Sequence, residues 1–170
     1  MNKKFRQQLI IQTLILMFFM LALLVALNYV TASALVWSMG ASALASSCYG
    51  VFSRPNSITS APHRIVGGYL IGMASGEITR YLLQLGCLDF LTCQPSASLT
   101  VLAIAGAASV GLSFILMVLT GWEHPPAAGL AIILMLELHA WTPVLVILGA
   151  AFILAFLRWI LSKKLVDLVK

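Results

Sequence analysis

Six apolar stretches follow one another along the chain, separated by polar residues, glycines and prolines. A transmembrane helix needs roughly 20 apolar residues, and the breaks predict helices at about 9–29, 32–52, 64–85, 97–120, 125–140 and 143–162. We therefore expect an all-α, polytopic membrane protein in which residues 1–170 form a single transmembrane domain. An alternative with four passes treats helices 2 and 5 as re-entrant.

The composition supports this interpretation. The 170 residues are 61% hydrophobic and 9% charged, and the mean hydropathy is +1.03, whereas about a quarter of the residues in a soluble domain are charged. A soluble enzyme and a separate nucleotide-binding domain are therefore excluded. The net charge of +5 does not indicate a nucleic-acid partner, because the basic residues fall mostly in the connections between helices. The expected partner is the lipid bilayer.

The basic residues also predict an orientation. Six passes with a cytoplasmic N-terminus place nine of the ten Lys and Arg residues on or near the cytoplasmic side, and the tenth, Arg80, lies inside helix 3. The apolar run that follows Arg6 is too long for a secretory signal. We expect the plasma (inner) membrane of a prokaryote, with both termini cytoplasmic. The six helices divide into two sets of three with opposite orientation, so an inverted repeat is a hypothesis.

The fifth helix is predicted to begin at the motif His124-Pro125-Pro126, because proline suits the first helical turn and not the interior. Its 16 residues span about 24 Å, short of a hydrocarbon core of about 30 Å. A start recessed below the membrane surface would let the helix dipole, the free amides of Ala127 and Ala128 and the His124 ring receive an anion. Alternatively, the prolines only set a turn that His124 caps.

Small residues recur every fourth position in three predicted helices. In helix 2, 11 of the 16 residues at 32–47 are Ala, Ser or Gly. The hydroxyls of Ser38, Ser42 and Ser46 share one face, where Ser38 and Ser42 could bind substrate or simply permit close packing. Similar spacings occur in helices 3 and 4, which predicts a compact core of helices 2, 3 and 4 and a homodimer interface as its extension. These positions are Gly68, Gly72 and Gly76, and Ala103, Ala107 and Gly111.

Charged residues inside a membrane are candidates for function. Glu77 and Arg80 lie three residues apart on helix 3, so they are predicted to form an ion pair. Arg80 would then attract an anion, or the pair would serve packing alone. If transport is coupled to protons, Glu77, Glu137 or His124 could carry the proton. The sequence does not choose among them.

The cysteines suggest a disulfide and not a metal site. Cys87 and Cys93 fall in a predicted outer loop, where an oxidising exterior would allow them to bond. Two cysteines without a nearby histidine do not form a convincing metal site. We expect neither a metal nor a cofactor.

The His124-Pro125-Pro126 segment resembles the HPP family of integral membrane proteins, which is named for this motif. Further similarity lies in a Gly-Ala-Ser segment at 39–43, in the loop at 57–62 with Gly67-Gly68 entering the next helix, and at Gly76. The similarity covers roughly residues 40–161. The chain differs from the family at Tyr69, where histidine is frequent, and at His63-Arg64, where Arg-Asn is frequent.

Some members of that family act in nitrite transport in chloroplasts and cyanobacteria, so the resemblance implies a carrier of a small anion, nitrite first. A structural or accessory membrane subunit is the alternative. An intramembrane enzyme using His124 with Glu123 or Glu77 is less favoured, because the adjacent residues Glu123 and His124 do not easily converge on one substrate atom. We therefore do not expect an enzyme.

Overall fold

The computed structural model describes residues 3–85, 99–137 and 141–169. These residues form an all-α, polytopic arrangement, as predicted. The six helices are α1 (Lys3–Val30), α2 (Ala34–Ser53), α3 (Pro62–Gln84), α4 (Leu99–Thr120), α5 (Ala128–Glu137) and α6 (Trp141–Ile160). Two single turns of 3-10 helix, Ile58–Ser60 and Pro125–Ala127, precede α3 and α5.

The helix boundaries follow local chemistry. The Ser33 hydroxyl caps α2 by accepting a hydrogen bond from the Val36 amide at 3.3 Å. Pro62 occupies the first turn of α3, where its missing N–H costs nothing. Helix α1 begins at Lys3 and not near Leu9, because the Lys, Arg and Gln residues before the apolar run are good helix formers.

Four of the described helices, α1, α2, α4 and α6, are long and apolar enough to cross a membrane. Helix α3 has 23 residues but carries charged side chains, and α5 has only 10. Together with its 3-10 turn, α5 spans about 21 Å, so the fifth helix is short, as predicted. Helix α2 runs unbroken for 20 residues, which contradicts the alternative that it forms a re-entrant hairpin.

One end of the bundle gathers the polar connections and most of the basic residues, and we call it the basic end. The start of α1, the end of α2 and the chain beyond α6 meet there: the Gln12 side-chain amide donates to the Val166 carbonyl at 3.1 Å, and the Leu168 amide donates to the Ser53 carbonyl at 2.8 Å. Because successive helices run in opposite directions, the start of α3 also lies at this end. The basic residues on these segments are Lys3, Lys4, Arg6, Arg54, Arg64, Arg158, Lys163 and Lys164.

Helix α3 lies at the centre of the fold, against α4, α5 and α6. Its glycines allow the backbone of α5 to approach closely. A Cβ added at Gly76 would lie 2.6 Å from the Ala131 carbonyl oxygen, and one added at Gly72 would collide with the Ala127 carbonyl. The expectation that this seam joins helices 2, 3 and 4 is therefore wrong for α3, whose glycines face α5 and the turn that precedes it.

The small residues predicted as a seam on α4 also lie elsewhere. Ala103, Ala107 and Gly111 are exposed on the outside of the described structure. The buried face of α4 instead carries Val101, Ala105, Gly106, Ser109, Ser113 and Met117. Both faces of α4 contain small residues at similar spacing, so the spacing alone did not identify the buried one.

The principal contacts between helices follow the pattern of an inverted repeat. Exchanging α1 with α4, α2 with α5 and α3 with α6 converts the set of contacting helix pairs into itself. The α1–α2, α1–α6 and α2–α6 contacts become the α4–α5, α3–α4 and α3–α5 contacts, while α2–α5 and α3–α6 map onto themselves. Helices exchanged in this way run in opposite directions. This pattern supports a pseudo-twofold relation between the halves.

Substituting alanine for Gly76 should destabilise the protein. The added methyl group would meet the Ala131 backbone and the Leu134 Cβ at 2.6–3.0 Å, so the two helices must separate, at a cost of about 1–3 kcal/mol. The matched control is Gly111→Ala, because nothing lies within 4 Å of a Cβ there. Thermal unfolding in detergent should show a lower midpoint for Gly76→Ala than for the wild type. The midpoint of the control should not be lowered. Equal midpoints would contradict the close packing of α3 on α5.

Candidate functional site

The connection between α4 and α5 turns sharply at Gly121. Its φ of +69° lies in the left-handed region that favours glycine. The Trp122 amide donates to the Met117 carbonyl at 3.0 Å, and the Gly121 amide donates to the Val118 carbonyl at 3.3 Å. These two bonds form a Schellman ending for α4, and the chain then leads to His124.

The His124 side chain is buried in a polar network that joins four segments of the chain. Its exposure is 3%, and Ser47 and Tyr69 are fully buried. The His124 Nε2 lies 2.9 Å from the Ser47 Oγ, which in turn lies 2.9 Å from the Tyr69 hydroxyl. The His124 Nδ1 lies 2.9 Å from the Thr59 carbonyl oxygen. The network thereby ties α2, α3 and the loop between them to the start of α5.

The partners of His124 determine which of its nitrogens carries a proton. A carbonyl oxygen only accepts hydrogen bonds, so Nδ1 donates to Thr59. In the neutral ring Nε2 then accepts from the Ser47 hydroxyl, which shares its proton with the Ala43 carbonyl at 3.1 Å, and Tyr69 donates to Ser47. The three side chains thus satisfy one another without a net charge. This matters inside a bundle, where an unpaired polar group costs about 1–3 kcal/mol.

His124 lies well inside the bundle. Ser47, which it contacts, is six residues before the end of α2, and Gly68, which lies against its Cβ, is six residues after the start of α3. At 1.5 Å per residue, both positions are about 9 Å inside the helix ends. A Cβ at position 68 would be 2.5 Å from the His124 Cβ, so the glycine makes room for this recessed turn.

A groove opens beside the turn, between α2 and the start of α5, and we call it the serine groove. It is a shallow, open groove of about 350 Å³, lined by Ser38, Met39, Ser42, Ala43, Ser46, Pro126 and Gly129. The three serines are exposed in it. Ser42 is the ninth of the 20 residues of α2, which places the groove near the middle of that helix.

A comparison with known protein families shows which family the chain belongs to. The family model described as the HPP transmembrane region matches residues 2–165. The chain belongs to the HPP family. This confirms the resemblance carried by His124-Pro125-Pro126. No curated protein and no solved structure matches the chain.

The His-Pro-Pro turn of this family member differs from the predicted anion site in one respect. The amides of Ala127 and Ala128 are not free: the Ala127 amide donates to the His124 carbonyl at 2.9 Å, and the Ala128 amide donates to the carbonyls of Pro125 and Pro126. The tight 3-10 turn that the prolines start therefore uses these donors internally. A substrate-binding role for Ala127 and Ala128 cannot come from unbonded amides.

The structure separates Arg80 from the His-Pro-Pro turn. Arg80 forms the predicted ion pair with Glu77, at 2.6 Å between Nη2 and Oε2. The pair is partly buried. Gly68, against which His124 packs, lies 12 residues earlier on α3, a separation of about 18 Å along the helix. An anion-binding role for Arg80 and a proton-coupling role for Glu77 stay predictions.

Three candidates fall outside the positions at which side chains are described. Cys87 and Cys93 lie within 86–98, outside the described residues. Glu137 is the last residue of α5, and its proton-coupling role stays a prediction. Among the described residues, no group of three His, Cys, Asp or Glu side chains could hold a metal ion.

The residues that contact His124 were not selected by sequence reasoning. Ser47 follows the serine face of Ser38, Ser42 and Ser46 but points to the opposite, buried side of α2. Thr59 acts through its backbone carbonyl, for which a side chain gives no signal. Tyr69 offered the one usable signal, since an isolated polar side chain in the middle of a packed helix needs a partner.

Burial lowers the pKa of His124, which lies in the connection between α4 and α5, below its ordinary value of 6.5, and the bond to Thr59 offsets part of the shift. The folded protein therefore favours the neutral ring, and the stability this provides is present above pH 6.5. It is lost as the pH falls from 6.5 towards the lower pKa of the folded state, because the unfolded chain takes up the proton first.

We expect the thermal unfolding midpoint of the wild type to decrease as the pH is lowered from 7 to about 5. The midpoint of His124→Gln should depend less on pH. Thermal unfolding across this range measures both. His63→Gln is the control, because His63 is exposed at the start of α3 and its removal should leave the slope unchanged. Parallel curves for the wild type and His124→Gln would refute this account of the network.

Proposed function

We propose that this HPP-family protein transports a small inorganic anion, with nitrite as the first substrate to test, and that it is not an enzyme. The observation that carries the proposal is the serine groove. It places polar side chains near the middle of α2 and beside the start of a short helix. Transporters commonly bind substrate at such a depth, next to a helix that does not span the membrane.

The chemistry of the groove suits an anion. The hydroxyls of Ser42 and Ser46 can donate hydrogen bonds, whereas the Ser38 hydroxyl donates to the Leu35 carbonyl at 3.1 Å. Among the described residues, no carboxylate lines the groove to repel negative charge. The positive end of the α5 dipole lies at Pro126 and Gly129. Since none of the described residues that line the groove is cationic either, binding would be weak, as a carrier that must release its substrate requires.

The contacts between helices favour a carrier over a channel. A pseudo-twofold relation between α1–α3 and α4–α6 permits two arrangements in which the halves exchange roles. The serine groove lies between α2 and α5, the pair that the exchange maps onto itself. Rocking of one half against the other would alter the α2–α5 contact first. The groove would then open to one side of the membrane and to the other in turn.

The Ser47–His124 pair does not lead us to propose catalysis. Their 2.9 Å separation is the distance between a nucleophile and its base. Ser47 is nevertheless fully buried, so a substrate atom has no room to reach it. The second ring nitrogen is held by the Thr59 carbonyl, and we infer that the pair positions the turn.

We also propose that the basic end faces the cytoplasm of a prokaryote, across its plasma membrane. The concentration of lysine and arginine at one end of the bundle supports the orientation, because such residues are retained on the cytoplasmic side. Both the start of α1 and the segment after α6 lie at that end.

An accessory-subunit function is the second candidate. The exposed face of Ala103, Ala107 and Gly111 on α4 favours it, because small residues allow another helix to pack closely in a membrane. A second copy of this chain would fit the same face and form a homodimer. In either case, the isolated chain would show no transport if its role were only structural.

Proteoliposomes that contain the purified protein should take up nitrite in a saturable manner, and nitrate, formate and chloride provide the comparison. Ser42→Leu should lower the flux at least about tenfold, because the larger side chain fills the groove. The matched control is Ala45→Leu, an exposed position on α2 that does not line the groove. Repeating the assay with an imposed pH gradient tests proton coupling.

Absence of flux for every anion would reject the transporter proposal in favour of the accessory subunit. Saturable flux that Ser42→Leu leaves intact would keep transport but move the site away from the serine groove. Loss of flux in Ala45→Leu as well would indicate a general effect on α2, and the groove assignment would fail.

Arg80→Gln distinguishes two roles for the ion pair on α3. If Arg80 attracts the anion, the variant should raise the substrate concentration at half-maximal flux several-fold, while the unfolding midpoint changes little. If the pair serves packing, the midpoint should fall by the equivalent of about 1 kcal/mol and half-saturation should stay constant. Glu77→Gln is the matched control, since it breaks the same pair but leaves the positive charge.

A further inference from the structure

The chain beyond α6 folds back against α1 at the basic end, and we call residues 161–169 the C-terminal segment. The buried Gln12 side chain forms two hydrogen bonds with one residue of this segment. Its Nε2 donates to the Val166 carbonyl at 3.1 Å, and its Oε1 accepts from the Val166 amide at 3.2 Å. Leu165 is buried in the core. The segment is therefore a fixed part of the bundle.

A partly enclosed groove of about 550 Å³ lies between α1 and the C-terminal segment, and we call it the lysine groove. One wall is the α1 face that carries Gln8, Ile11 and Ile15, and the other carries Lys163 and Lys164. Ile11 is 49% exposed, so its apolar surface needs a lipid or a protein to cover it.

The two walls differ in chemistry in a way that matches one class of ligand. Lys163 and Lys164 are exposed, and no carboxylate lies within ion-pair distance of either among residues 3–85, 99–137 and 141–169. The adjacent carboxylate, Asp167, is engaged by the backbone and side-chain amides of Asn56, each at 3.1 Å. Two ammonium groups that form no ion pair with a described carboxylate therefore lie at the mouth of an apolar groove.

We propose that the lysine groove binds an anionic phospholipid of the surrounding bilayer. Lys163 and Lys164 would hold the phosphate, the Gln8 amide would add a hydrogen bond, and an acyl chain would cover Ile11 and Ile15. The depth is appropriate, because Ile11 lies eight residues into α1, about 12 Å from its start. Basic pockets at the ends of transmembrane helices recognise acidic headgroups in this manner.

The proposal concerns a different surface from the serine groove and does not depend on transport. A neutral phospholipid could cover the isoleucines but would leave the two ammonium groups without a counter-charge. A free anion could neutralise the lysines but would leave the isoleucines uncovered. A lipid with a net negative headgroup would both neutralise the lysines and cover the isoleucines.

The experiment measures lipid retention by the purified full chain. The protein is reconstituted into mixtures of phosphatidylglycerol and phosphatidylcholine, extracted in mild detergent and analysed by native mass spectrometry. The wild type should retain phosphatidylglycerol preferentially. Lys163→Gln/Lys164→Gln should lose this preference on the order of tenfold, since each lysine contributes appreciably near an anionic surface.

The matched control is Lys3→Gln/Arg6→Gln, which also removes two charges from the basic end. At 100° per residue, Arg6 lies about 140–180° around α1 from Gln8, Ile11 and Ile15, and Lys3 lies about 140° from Gln8 and about 12 Å along the helix from Ile11, so their removal should leave retention unchanged. The unfolding midpoint of each variant, measured without added lipid, verifies that the fold is intact.

Several results would overturn the proposal. Equal retention of the two lipids by the wild type would remove the preference that the lysines are proposed to create. Equal loss in the control variant would show a general effect of charge and not a site. Displacement of the lipid by millimolar inorganic phosphate would show that the lysines bind a soluble anion, and the lipid assignment would then fail.

Discussion

The turn that precedes α5 lies about 9 Å inside the ends of its neighbouring helices, and its polar groups must find partners there without water. His124 meets this constraint by donating to the Thr59 carbonyl and accepting from Ser47, which Tyr69 satisfies in turn. The remaining architecture accommodates that turn. The loop between α2 and α3 closes over the ring, and the glycines of α3 leave the space that the turn and α5 occupy.

A short fifth helix follows from this arrangement. Because Pro125 and Pro126 start the helix at the recessed turn, α5 cannot reach the basic end. Next to its start, Ser38, Ser42 and Ser46 of α2 line the serine groove, whose other wall carries Pro126 and Gly129. The same prolines close a 3-10 turn that uses the amides of Ala127 and Ala128. Polar chemistry at this place is thus left to the serine hydroxyls and to the dipole of the helix.

The sequence was sufficient for features set by neighbouring residues. Apolar length predicted six helices, the two prolines predicted where the fifth begins, and the spacing of Glu77 and Arg80 predicted their ion pair. Features set by distant residues could not be predicted. Spacing places Gly68, Gly72 and Gly76 on one face but does not say which helix fills it, and α4 has small residues on two faces. The partners of His124 are 55 to 77 positions away along the chain, beyond any local pattern.

The halves of the molecule share their helix contacts but not their polar bonds. Exchange of the halves maps α4–α5 onto α1–α2. Local bonds around Ser33 and Thr31 lie at the connection before α2, whereas the connection before α5 is tied to two segments of the other half through His124. In a carrier of the proposed kind, moving one half against the other would break the His124 bonds, because Ser47 and Thr59 belong to the half that does not contain His124. The energy of those bonds would then contribute to the difference between the two states, and so to the arrangement that the symmetric helices adopt at rest.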